Sequence, residues 1–137
     1  MTLNSPTTSS KSTTTITRVV VVDDHPAIRE AIADTIRAEQ GLELCGLAGS
    51  AADAFDLVRE TSPDVAVIDI SLGDAHGLDL VQNLRAQHPK LEVVVFSMYD
   101  EEVYAERAIR AGARGYVMKS EPTQSVAEAI RAAAQGE

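Results

Sequence analysis

The chain has 137 residues, enough for one folded domain, and its formal charge is −9 from 12 basic and 21 acidic residues. So acidic a domain repels phosphate backbones, which argues against DNA or RNA binding by these residues themselves. The single cysteine, Cys45, excludes an internal disulfide, and no apolar run has the length of a membrane helix or the pattern of a signal peptide. We therefore expect a soluble, cytoplasmic domain.

The N-terminal segment differs in composition from the rest of the chain. Residues 1–17 are mostly Ser and Thr and offer almost nothing to bury, which predicts a disordered tail. From Arg18 onward, short apolar runs alternate with segments of helical period. The runs, which predict strands, are residues 19–22, 42–47, 65–68, 93–96 and 115–118.

Helix signals lie between these runs. Pro26 stands where the first helix should begin, and a Ser50-x-x-Asp53 pattern predicts a capped second helix. We expect helices to end at Ser62-Pro63 and at His88-Pro89, because a proline disfavours the helical conformation of the residue before it. Five strands interleaved with five helices predict right-handed βαβ units, hence an α/β fold with a parallel sheet covered on both faces.

Polar residues follow four of the five apolar runs: Asp23-Asp24, Asp69, Ser97 and Lys119. Parallel strands end at one edge of their sheet, and ligand sites in such sheets lie there, where the strand order reverses. With the strand order 2-1-3-4-5, the first and third strands are neighbours. Asp23, Asp24 and Asp69 should then share one crevice.

This set of side chains favours phosphoryl chemistry. Hard carboxylate oxygens suit Mg²⁺, which would also relieve the repulsion between Asp23 and Asp24. A carboxylate can attack phosphorus and form an acyl phosphate. Asp69 is the predicted acceptor because it stands alone on the central strand, whereas the doublet is suited to holding metal. Mg²⁺ and Lys119 would neutralise phosphoryl charge, and the Ser97 hydroxyl would hydrogen-bond a phosphoryl oxygen.

Four motifs, in this order along the chain, resemble the receiver domain of two-component response regulators. They are Val-Val-Asp23-Asp24-His-Pro, Val-Ile-Asp69-Ile-Ser-Leu, Phe-Ser97-Met-Tyr-Asp and Ala-Gly-Ala-Arg-Gly-Tyr116-Val-Met-Lys119-Ser. The resemblance covers residues 18–135, and the last segment is most similar to the LuxR/NarL/FixJ-type subfamily. It implies a receiver domain over residues 18–137 with a flavodoxin-like (βα)5 doubly wound parallel sheet in the order 2-1-3-4-5.

The resemblance also implies a function. Asp69 would take a phosphoryl group from a sensor histidine kinase, with Mg²⁺ held by Asp24, Asp69 and the backbone carbonyl of Ser71, and with Asp23 assisting. Such a domain catalyses its own phosphorylation and dephosphorylation and is not a metabolic enzyme.

A conformational switch is implied as well. Ser97 would move toward the phosphoryl group and Tyr116 would turn inward, remodelling the face formed by the fourth helix, fifth strand and fifth helix. Such faces commonly form a homodimer or meet an output domain. DNA would be reached only through a downstream helix-turn-helix domain absent from these residues. A free-standing receiver acting through a partner protein is the alternative.

The chain departs from the family pattern at two places. Leu72-Gly73 replaces a common Met-Pro after the acceptor, which leaves the lifetime of the phosphoryl group open. Ser120 replaces the usual proline after Lys119. A cis bond before serine costs about 3 to 4 kcal/mol, so we expect one only if Lys119 requires it.

Two other functions fit the sequence less well. An aspartate-nucleophile phosphatase would need Asp-x-Asp on its first strand and a substrate cap, and Asp23-Asp24-His25 supplies neither. A flavin or nucleotide module would need glycines between Asp23 and Ala27. His25 itself is interpreted as an exposed structural residue at a helix start, and Tyr116 could simply be a half-buried core aromatic.

Overall fold

The structure is a computed structural model that describes residues 15–70, 77–97 and 102–136. In this part of the chain five strands alternate with five helices. In chain order they are β1 (Thr17–Val22), α1 (Pro26–Arg37), β2 (Leu42–Ala48), α2 (Ala51–Thr61), β3 (Val65–Asp69), α3 (Gly77–Gln87), β4 (Glu92–Ser97), α4 (Glu102–Ala111), β5 (Gly115–Met118) and α5 (Gln124–Ala134). Most of the predicted tail lies outside the described residues, while Thr17, its last residue, already begins β1.

All strands of the described sheet run parallel, in the order β2-β1-β3-β4-β5. This confirms the predicted order 2-1-3-4-5. The order reverses between β1 and β3, so a crevice opens at their carboxyl ends. No helix in the described ranges is long and apolar enough to cross a bilayer.

Local signals set the helix boundaries. Pro26 is the first residue of α1, where its missing N–H costs no hydrogen bond. The Ser50 hydroxyl caps α2 by accepting a hydrogen bond from the Asp53 N–H at 3.1 Å. Ser62 ends α2 in the left-handed conformation with φ of 48°. Helices α2 and α3 thus end directly before the two predicted stop signals.

The core lies on both faces of the sheet because successive strand residues point to opposite sides. In β1, Val20 and Val22 face α2, α3 and α4, while Val19 and Val21 face α1 and α5. All four valines are at most 1% exposed. A central strand covered on both faces has a continuous apolar run, which explains the four consecutive valines.

Candidate functional site

Four strands deliver polar side chains to the carboxyl edge of the sheet. Asp23 directly follows β1, Asp69 ends β3, Ser97 ends β4 and Lys119 directly follows β5. Asp23, Asp69 and Ser97 are at most 1% exposed, and they are the buried polar or charged residues in the described part of the chain. Since buried polar groups are costly unless paired, their concentration at one edge marks a functional site.

Lys119 contacts two of the carboxylates. Its Nζ donates a hydrogen bond to Asp69 Oδ2 at 3.1 Å and lies 3.5 Å from Asp23 Oδ2. The lysine side chain is only 10% exposed. Its backbone N–H donates to the Ser97 carbonyl at 2.6 Å, which extends the β4–β5 pairing by one bond. The Lys119–Ser120 peptide is trans, so this placement does not require the costly cis bond.

Ser97 and Tyr116 lie on neighbouring strands. Ser97 is fully buried at the end of β4, beside the strand that carries Asp69. Tyr116 pairs with Val95 in the sheet and packs, partly buried, against the core under α2, α3 and α4. The predicted switch pair is therefore adjacent to the site and to α4, while the switching roles of both residues remain predictions.

His25 enters the site, which the sequence analysis did not anticipate. Its side chain is 51% exposed, yet Nδ1 lies 3.0 Å from Asp23 Oδ1, 3.1 Å from Asp24 Oδ1 and 3.7 Å from Asp69 Oδ2. The His25 backbone N–H also donates to Asp23 Oδ1 at 2.8 Å. Its position directly after the acidic doublet was the available signal.

Arg29 was likewise missed. Its Nη1 donates to the backbone carbonyl of Asp23 at 2.9 Å, and the Asp23 N–H donates to the Ala48 carbonyl at 3.0 Å. The peptide groups on both sides of Asp23 are thereby fixed. Gly49 makes room for the arginine, since a Cβ there would lie 2.9 Å from Arg29 Nη1.

The three carboxylates at this edge fit a hard divalent cation. One ligand atom from each of Asp23, Asp24, His25 and Asp69 lies within 4.8 Å of the others. Asp23 Oδ2 is buried and accepts no hydrogen bond within the described ranges. The Asp24 side chain is 31% exposed, so water can complete an octahedral shell as Mg²⁺ prefers. Ser71, the predicted source of a carbonyl ligand, lies outside the described residues.

Comparisons with known proteins agree with this geometry. Residues 19–131 match the response regulator receiver domain family. The chain is 34% identical over 120 residues to the uncharacterized transcriptional regulatory protein YxjL of Bacillus subtilis, covering 88% of this chain and 55% of that protein. It is 36% identical over 114 residues to the DNA-binding transcriptional activator DevR/DosR of Mycobacterium tuberculosis, covering 83% of this chain and 52% of that protein. The chain thus spans about half the length of the curated relatives it matches.

Solved structures give the same result. A LuxR-family two-component response regulator from an Aurantimonas species superposes with a TM-score of 0.85 at 32% identity, over 90% of this chain and 88% of that one. The signal receiver domain of the NarL response regulator of Mycobacterium tuberculosis superposes with a TM-score of 0.84 at 28% identity, over 90% of this chain and 99% of that one. Fold, polar edge and relatives together place this chain in the receiver domain family of two-component response regulators, among the LuxR/NarL-type members.

Proposed function

We propose that this domain is a phosphoryl-accepting switch in which Asp69 takes a phosphoryl group from a sensor histidine kinase. The observation that carries the proposal is the buried contact of Lys119 Nζ with Asp69 Oδ2, 3.1 Å long, beside the Asp23-Asp24 doublet. Asp69 is buried at the carboxyl edge of the sheet and contacts a lysine. Its carboxylate can attack a phosphoryl group, and the lysine can compensate the negative charge that this group brings into the site.

The transfer is a displacement at phosphorus. An oxygen of Asp69 attacks the phosphorus of the donor phosphohistidine, and the phosphorus–nitrogen bond breaks with its electron pair left on the imidazole. The product is an acyl phosphate on Asp69. Lys119 compensates charge on the transferred oxygens, and the Ser97 hydroxyl donates to one of them. Arg29 keeps Asp23 in place through the backbone carbonyl.

Asp23, Asp24 and Asp69, with the backbone carbonyl of Ser71, would hold Mg²⁺. Bound there, Mg²⁺ supplies neutralisation of the phosphoryl oxygens. Support comes from the buried Asp23 Oδ2, which accepts no hydrogen bond from the residues that the structure describes. Within the described ranges, three carboxylates and one amine, that of Lys119, meet at this edge, which leaves net negative charge that a divalent cation would balance.

Phosphorylation then changes the face formed by α4, β5 and α5. Ser97 moves toward the phosphoryl group, and Tyr116 turns into the space it leaves. Shifting the domain from 1% to 99% active requires about 5.5 kcal/mol of differential stabilisation. The switched face forms a homodimer or contacts an output domain.

The output is transcriptional in this proposal, through a helix-turn-helix domain that these 137 residues do not include. The relatives described as transcriptional regulators, which are about twice as long as the matched region, support it. In this proposal the receiver spans residues 18–137 and follows a Ser/Thr-rich tail of residues 1–17. It acts in the cytoplasm and catalyses its own phosphorylation and dephosphorylation.

Intact mass spectrometry tests the acceptor. The protein is incubated with acetyl phosphate in the presence and absence of Mg²⁺, beside Asp69→Ala and the exposed control Asp56→Ala. We expect the mass of one phosphoryl group to be added to the wild type and to Asp56→Ala only with Mg²⁺, and never to Asp69→Ala. Should no adduct form, beryllium fluoride binding separates rapid hydrolysis from an inactive site, and failure of both would contradict the proposal.

A further inference from the structure

We infer that His25 supplies a nitrogen ligand, Nδ1, to the metal ion that Asp23, Asp24 and Asp69 would hold, and that this makes the site prefer divalent transition metals to Mg²⁺. The inference rests on the proposed metal site and adds a ligand and a class of metal to it.

The distances around His25 suit ligands that share one ion, and the 3.0 Å contact with Asp23 Oδ1 is also of hydrogen-bond length. Ligands at right angles, each about 2.0–2.1 Å from an octahedral ion, lie about 3 Å apart. His25 Nδ1 lies 3.0 Å from Asp23 Oδ1 and 3.1 Å from Asp24 Oδ1. The longer distance to Asp69 Oδ2, 3.7 Å, still lies within the span of a single coordination shell.

The backbone holds the imidazole on this side of the loop. His25 is the residue before α1, in extended conformation, and its N–H donates to Asp23 Oδ1 at 2.8 Å. Pro26 follows as the first helical residue and fixes the direction in which the chain leaves. The main chain therefore keeps His25 beside the doublet, and the 51% exposure of its side chain leaves the ring accessible to ions from solvent.

Imidazole changes which metal the carboxylates bind best. With the proton on Nε2, Nδ1 presents a lone pair to the ion. Mg²⁺ takes oxygen ligands and keeps its waters, whereas imidazole favours first-row transition metals, whose affinity rises from Mn²⁺ through Co²⁺ to Ni²⁺. A site of three aspartates alone would discriminate weakly between Mg²⁺ and Co²⁺. A site with three aspartates and one histidine should bind Co²⁺ much more tightly.

Equilibrium binding of Co²⁺ and Mg²⁺ tests the inference on the full chain, with His25→Ala and the matched control His88→Ala. His88 follows α3, away from the acidic edge. We expect His25→Ala to weaken Co²⁺ binding by about tenfold or more, since even outer partners of ligands cost about 10–100-fold, and to leave Mg²⁺ binding nearly unchanged. Proton NMR of the Co²⁺ form should show hyperfine-shifted imidazole resonances that only His25→Ala removes.

Three results would overturn the inference: equal effects of His25→Ala on both metals, tighter metal binding in His25→Ala, or a shifted imidazole signal that persists in His25→Ala. Tighter binding would mean that the ring competes with the ion as a hydrogen-bond donor to the carboxylates. If the wild type bound neither metal, the proposed metal site itself would be wrong, so the two failures are distinguishable.

Discussion

Lys119 Nζ and Asp69 Oδ2 meet at 3.1 Å although 50 residues separate them in the chain. Lys119 directly follows β5 and Asp69 ends β3, with β4 between them, so the lysine must reach across a neighbouring strand. Its Nζ lies 5.7 Å from the centre of the Phe96 ring, near the end of that strand. The contact therefore depends on the parallel order of the sheet, and it couples the last strand to the proposed acceptor.

Removing the charge of Lys119 should slow phosphorylation strongly without unfolding the domain. In Lys119→Met we expect the rate of phosphorylation by acetyl phosphate at saturating Mg²⁺ to fall on the order of 10²-fold, as when one positioned donor is lost from developing charge. The rate is measured by intact mass against time. Lys90→Met, at an exposed position before β4, is the control and should react normally. A wild-type rate in Lys119→Met would show that the lysine is only structural.

The fold and the main polar residues were predictable because their signals are local. Four consecutive valines indicate a strand covered on both faces, and Pro26 marks a helix start by its own geometry. Parallel pairing then brings every strand end to one edge. For that reason Asp69 and Lys119 could be placed together without any knowledge of side-chain conformation.

Contacts that depend on long or rotatable side chains were not predictable. Arg29 lies six residues beyond Asp23, and its bond to the Asp23 carbonyl uses space that Gly49 leaves open by lacking a Cβ. The sequence places His25 directly after the doublet, but spacing along the chain does not show that its ring faces Asp24. Such contacts depend on tertiary packing around each side chain, which spacing along the chain does not encode.

Crowding of carboxylates should make the metal-free domain less stable than its Asp24→Asn variant. Two charges about 4 Å apart repel by about 1 kcal/mol in water and about 4 kcal/mol near a protein surface, and Asp24 is partly exposed. We expect the free energy of unfolding of Asp24→Asn without metal to rise by about 1 kcal/mol, at the low end of that range. Urea unfolding at neutral pH measures it.

Mg²⁺ should reverse this order of stability. A ligand at about 100 times its Kd stabilises the native state by about 2.7 kcal/mol, and we expect such a gain in the wild type but not in Asp24→Asn. The exposed variant Asp56→Asn serves as the control and should respond to Mg²⁺ as the wild type does. Equal stabilisation of Asp24→Asn by Mg²⁺ would exclude Asp24 as a ligand.

Gly77 allows α3 to start against the end of β3. A Cβ there would lie 2.2 Å from the Ile70 Cα and 2.6 Å from its carbonyl group, and Ile70 directly follows Asp69. We expect Gly77→Ala to lower the free energy of unfolding by about 3 kcal/mol, the upper end of the usual cost of overpacking. At Gly115 a Cβ meets only ordinary contacts at 3.7 Å. Gly115→Ala should therefore unfold in urea close to the wild type, and similar losses in both variants would refute the steric argument.

An ion pair between the turn after α1 and α5 should make stability depend on pH. Arg131 Nη2 donates to Glu39 Oε1 at 2.6 Å, and this hydrogen bond lowers the pKa of Glu39 below its ordinary value. A carboxyl whose pKa is lower in the folded state stabilises the fold above its unfolded pKa, and that contribution is lost as the pH falls through the folded pKa.

Glu39→Gln should thus be slightly less stable than the wild type at neutral pH. The difference should disappear at a pH below the lowered pKa of Glu39. Thermal unfolding across this pH range measures it, with the exposed α5 variant Glu128→Gln as control, and a difference that persisted in acid would assign the effect to packing instead of charge.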